Sequence, residues 1–84
     1  MIQPYVNAAK DFLELASEQR LNIIFGLREK KSKVSTMAKE LDATIQEVHR
    51  NFERLGDAGL ITKDKEGYYE LTTYGRQYVR RFQT

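Results

Sequence analysis

Between Thr36 and Ile61 the chain reads TMAKELDATIQEVHRNFERLGDAGLI, and few folds accommodate that stretch. It divides into a short helix, a tight turn, a longer helix and a glycine stop that runs into an apolar strand. Thr44 is suited to cap the longer helix, and Glu47 follows three residues later. In a capping box of this spacing the threonine oxygen accepts the Glu47 amide, and the glutamate reaches back to the Thr44 amide. Beyond the cap, Ile45, Val48, Phe52 and Leu55 share a helical face and are the expected core side. Gln46, Arg50, Glu53 and Asp57 point the opposite way, with Arg54 beside them. Gly59 supplies the left-handed residue that ends a helix at little cost.

This stretch resembles the winged helix-turn-helix repressors of the ArsR type and the related MarR-type regulators. Their recognition helix begins with a hydroxyl residue and carries an apolar residue, an arginine, a large apolar residue and a leucine. It then passes through Ala-Gly-Leu-Val/Ile into the wing. Here Thr44, Val48, Arg50, Phe52, Leu55 and Ala58-Gly59-Leu60-Ile61 fill that pattern. The resemblance extends from Ala16 to about Gly75. LASEQRLNIIFGL looks like the family's opening helix, with Arg20 near the place of its arginine and without its proline, and YELTTYG resembles the family's Tyr-x-Leu-Thr-x-x-Gly ending. The resemblance implies a mainly α fold with a small β-hairpin: a winged helix-turn-helix with extra N-terminal and C-terminal helices.

Length and composition set the bounds. Eighty-four residues make one domain, 1–84, with an economical core. No apolar run approaches the roughly 18 residues of a membrane helix. The start, MIQPYVNAAKDF, lacks the basic end and apolar block of a signal peptide, so a cytoplasmic address is expected. With no cysteine, disulfides and thiolate metal sites are excluded. A net charge of only +2 means that affinity for nucleic acid must come from clustered charge.

Along the chain, Pro4 to about Ala16 (4–16) reads as a first helix, with an apolar stripe of Tyr5, Ala8, Ala9, Phe12, Leu13 and Ala16. Ser17 can cap the next, Glu18 to about Lys30, whose Leu21, Ile24, Phe25 and Leu27/Arg28 give the helical period, with Ile23 thickening the stripe. Gly26 inside it predicts close helix packing. Lys30-Lys31-Ser32-Lys33 is a basic loop. In a winged helix it precedes a short strand pairing with the wing, expected around Lys33 to Ser35 with Val34 pointing in. Ser35 or Thr36 would cap a helix from Met37 to Leu41, and Asp42-Ala43 makes the turn of the helix-turn-helix, 36–58. After Gly59 the period becomes strand-like. Leu60 to Lys63 and Tyr68 to Leu71 flank Asp64-Lys65-Glu66-Gly67, a hairpin signal that forms the wing, 60–71. Tyr68 and Tyr69 alternate, so one should be core and the other exposed. Thr72 or Thr73 caps a last helix, Tyr74 to about Phe82 within 73–83, where Tyr74, Tyr78 and Phe82 share a stripe and Arg76, Arg80 and Arg81 do not.

Catalysis finds little support. The single histidine, His49, lies on the exposed flank of a helix, and there is neither a glycine-rich phosphate loop nor an HExxH motif. The chain therefore reads as a non-enzyme. The cysteine and histidine clusters of ArsR-type metal sensors are missing, so no metal or other cofactor is expected. Sequence-specific binding of double-stranded DNA by a transcriptional regulator is the reading with a mechanism. Helix 45–58 would enter the major groove, with Gln46 and Arg50 one turn apart opposite the core stripe and His49 and Arg54 flanking them. Gln46 suits adenine and Arg50 guanine, each bidentate pair discriminating by about 1–3 kcal/mol. Thr36 and Thr44 would touch phosphates, and Lys63 and Lys65 on the wing, with Lys31 and Lys33, would meet the backbone or minor groove. Glu47 and Glu53 set negative charge on or beside that face. The alternative is a winged-helix protein–protein interaction module without DNA binding, which predicts an apolar or acidic exposed patch. A homodimer built through the N- and C-terminal helices would read two half-sites about one helical turn apart; the simpler reading is a monomer that folds those helices onto itself.

Overall fold

The computed structural model describes residues 18–81. Expectations for the 4–16 helix, the Ser17 cap and Phe82 fall outside them. Helix α1 covers 18–29 and is followed by α2 (Val34–Glu40), α3 (Ile45–Asp57), strands β1 (Ile61–Lys63) and β2 (Tyr69–Leu71), and α4 (Thr73–Arg80). The architecture is mainly helical with one antiparallel hairpin, in the register Ile61 to Leu71, Thr62 to Glu70 and Lys63 to Tyr69.

The core gathers one face from each element: Ile23, Ile24 and Leu27 of α1, Met37 and Ala38 of α2, and Val48, Phe52 and Leu55 of α3. Leu60, Ile61 and Leu71 of the hairpin and Val79 of α4 close it. Gly26 faces Met37 across the α1–α2 contact, where an added Cβ would meet the Met37 Cε at 3.1 Å. The close packing expected at that glycine is present.

The beginning of α2 departs from expectation. The bridge to the hairpin is made by Ser32, whose amide donates to the Tyr69 carbonyl (3.1 Å) and whose carbonyl accepts the Tyr69 amide (2.8 Å). This pairing leaves Lys33 as the last extended residue, so Lys33 occupies the N-cap position without a side-chain cap. The helix therefore begins at Val34, and neither Ser35 nor Thr36 caps it. Val34 is a half-buried helical residue instead of an inward strand residue. At the far end Asp42 takes the left-handed conformation (φ 53°). The Ala43 amide reaches the Ala38 carbonyl (2.9 Å) and the Asp42 amide the Lys39 carbonyl (3.3 Å), so a Schellman pair makes the turn.

Helix α3 ends in the same way. Gly59 has φ 78°. The Leu60 amide bonds the Leu55 carbonyl, and the Gly59 amide bonds the Gly56 carbonyl, both at 2.9 Å. Burial of Leu55 and Leu60 supplies the apolar contact that accompanies this motif.

The Leu-Thr-x-x-Gly run ties α4 to that junction. The Thr72 hydroxyl donates to the Gly59 carbonyl (2.6 Å) while accepting the Gly75 amide (2.9 Å). The Thr72 amide donates to the Leu60 carbonyl (3.0 Å). Gly75 lies so close to Leu60 that a Cβ there would run into the Leu60 carbonyl group. The apolar anchor of α4 is Val79, 2% exposed; Tyr78 of the tyrosine stripe packs half-buried against the core, while Tyr74 stands 53% exposed.

Candidate nucleic-acid interface

Helix α3 presents two chemically distinct faces. Val48, Asn51, Phe52 and Leu55 are buried, while Gln46, His49, Arg50, Glu53, Arg54 and Asp57 are exposed. The Glu47 amide donates to Thr44 Oγ1 (3.1 Å), which fixes the first turn. The expected return bond from the Glu47 carboxylate to the Thr44 amide is not made; that carboxylate is exposed and well solvated where it is. Ile45 is a further correction. It belongs to the periodic apolar stripe by spacing, yet it is 57% exposed. As the first residue of the helix it lies to one side of the core axis, which passes between Val48 and Phe52.

Asn51, absent from the expected core, is 8% exposed and stands at the back of this helix. Its amide nitrogen donates to Gln19 Oε1 (2.5 Å), and its carbonyl oxygen lies 3.5 Å from Arg20 Nη1. Helix α3 is thereby tied to α1 by polar contacts that span more than thirty residues of sequence. Its position between Val48 and Leu55 on the helical stripe is the signal that marks Asn51 as inward-facing. His49 Nδ1 lies 3.7 Å from Glu53 Oε1, one turn on, and both remain exposed.

The hairpin loop is organised by Asp64. Its carboxylate accepts the amides of Glu66 (2.9 Å) and Tyr68 (3.0 Å) and pairs with Lys31 Nζ (3.2 Å). The Gly67 amide closes the turn onto the Asp64 carbonyl (3.2 Å), with Gly67 at φ 94°. The Tyr68 amide bond, foremost, holds the Asp64 carboxyl below its ordinary range, and the hydrogen bond to Asp64 raises Lys31. Lys31 and Lys33 both lie over the Tyr68 ring, at 5.3 and 5.1 Å, while Tyr69 meets Phe52 edge-on at 4.6 Å. Both tyrosines are half-buried, so the expected split into one core and one exposed ring does not occur. Lys31, grouped with the contact lysines by sequence, pairs with Asp64 while half of its side chain stays exposed. Lys33, Lys63 and Lys65 are exposed, as is Thr36 in the first turn of α2.

Among the described residues no group of three or more His, Cys, Asp or Glu side chains could hold a metal ion. No helix among them is long and apolar enough to cross a membrane.

A helix-turn-helix whose second helix is exposed along one side, followed by a hairpin and a closing helix, defines a winged helix-turn-helix domain. Among solved structures, a mutant of Lactococcus lactis ZitR in its apo form is similar, with a TM-score of 0.71 at 16% identity over 94% of this chain. The adhesin competence repressor AdcR of Streptococcus pyogenes gives 0.68 at 16% identity over 99%. T. acidophilum IdeR gives 0.64 at 25% identity over 79%. The chain spans 64% of the ZitR chain, 72% of the AdcR chain and 32% of the IdeR chain. No curated protein sequence matches it closely. The HVO_A0261 N-terminal domain family matches residues 9–84, and the chain belongs to that family.

Proposed function

We propose that this domain binds double-stranded DNA sequence-specifically as a transcriptional regulator, with α3 in the major groove and the wing on the backbone or minor groove. The observation that carries the reading is the solvent face of α3, where Gln46, His49, Arg50 and Arg54 are all exposed behind a capped first turn. The early residues of such a helix reach base edges, so Gln46 and Arg50 are the base readers and His49 and Arg54 their flanks. Thr36 and Thr44 are the phosphate contacts before the helix, and Lys63, Lys65 and Lys33 those around the wing. Glu53 follows Gln46 by seven residues, about 10 Å along the axis, and Asp57 lies a turn further. A groove about 12 Å wide can take the first two turns while these carboxylates stay clear of the phosphates. AdcR is named a repressor, and the ArsR-type pattern in the residues points the same way. The proposed working form is a cytoplasmic homodimer assembled through the two ends of the chain.

A second reading, a protein-binding winged helix, draws on the exposed Glu53 and Asp57 of α3 and on exposed Tyr74. Fluorescence anisotropy with random-sequence duplex separates the two. The DNA reading expects binding that falls steeply with salt, by about 0.9 in the logarithmic slope for each phosphate neutralised. Arg50→Ala and Lys65→Ala should each weaken it, and Lys65→Ala should also lower the slope by about 1. A folded protein that ignores DNA at low salt would leave the protein-binding reading.

A further inference from the structure

We infer that Ile45 is a base-reading residue that recognises the 5-methyl group of thymine in the major groove. This inference rests on the DNA-binding reading of α3. Ile45 is 57% exposed, whereas Val48 and Phe52, its neighbours on the same apolar stripe, are fully buried. It is the first residue of the helix, where major-groove helices approach the bases most closely. At about 100° per residue, Ile45 lies about 100° from Gln46 and about 40° from His49, on the edge of the exposed face. The Thr44 cap holds the turn on which it sits.

Chemistry narrows what such a side chain can meet. Isoleucine neither donates nor accepts hydrogen bonds, so phosphates and polar base edges offer it nothing. Of the groups displayed in the major groove, the thymine methyl is the apolar one. Branching at Cβ restricts χ1, so the side chain is held ready for a methyl fixed on a rigid base. Ile45 thereby adds a thymine preference beside the positions read by Gln46 and Arg50.

The test uses the full chain and a duplex selected by it from a random library. Each thymine is replaced in turn by deoxyuridine, which removes the methyl and keeps the base pair. Binding should weaken about fourfold at one or two positions, the effect of one buried methyl, and stay unchanged elsewhere. Ile45→Ala should bind the parent duplex more weakly and lose the thymine-over-uracil difference, while Ile45→Val keeps part of it. Circular dichroism of each variant should match the parent, because the side chain is exposed. Uracil tolerated at every position, or a thymine preference that survives in Ile45→Ala, overturns the inference while leaving DNA binding intact. Failure to select any duplex overturns the DNA reading and this inference with it.

Discussion

At Gly75 there is no room for a side chain between α4 and the backbone at Leu60. The Cβ of an alanine would press on the Leu60 carbonyl, and neither partner is a flexible side-chain end that could move aside. Gly75→Ala should therefore lower the unfolding free energy by about 1–3 kcal/mol, the usual cost of overpacking, despite the better helix propensity of alanine. Urea denaturation checks this; an unchanged midpoint would mean that the α4 contact is looser than described. Gly26 makes the contrast: there the added Cβ meets the mobile end of Met37. The glycine of Leu-Thr-x-x-Gly was visible in the sequence, but the reason for it was not, because Leu60 approaches from fifteen residues away. At Asn51 the spacing marks an inward-facing residue, but its partners are illegible for the same kind of reason: Gln19 and Arg20 lie on another helix. Ile45 misled because period alone cannot tell the edge of a stripe from its centre.

Element ends that are set locally are legible in the sequence, and those set by distant pairing are not. The start of α3 follows from Thr44 and its end from Gly59. The start of α2 is decided by the Ser32–Tyr69 bridge, which no local signal announces. The wing shows how a polar residue organises an element. Asp64 accepts two loop amides and pairs with Lys31, so its carboxyl is held below the ordinary range. A depressed carboxyl stabilises the fold above the pH at which it titrates when unfolded, and that stabilisation is lost as pH falls through the folded value. Lys31, being raised, adds stabilisation below its ordinary range that is lost only when strongly alkaline pH passes the raised value. The wing should thus keep its form across neutral pH and loosen at the acid end. In an NMR titration the Glu66 and Tyr68 amides should shift together, with a midpoint below that of an unperturbed aspartate. Asp64→Asn should abolish that titration. A midpoint in the ordinary range would contradict the loop hydrogen bonding.

Across residues 18–81 taken together, α1, α2, the hairpin and α4 share one core that holds the back of α3 and leaves its front open. The polar contact from Asn51 to Gln19 and Arg20 adds a directional tie to that packing, so the angle of α3 is coupled to α1. The architecture was legible as a succession of helix, turn, helix, strand and strand; the proposed use of it depends on which side chains remain uncovered. The most direct measurement is therefore the footprint of duplex DNA on the protein, taken from amide chemical shifts as random-sequence duplex is added at low salt. The largest changes should fall on residues 44–54 of α3 and its cap and on 63–67 of the wing, with the Arg76–Arg80 stretch of α4 little affected. Changes confined to α4, or a folded protein whose spectrum does not respond to duplex at all, would contradict the DNA-binding reading of α3.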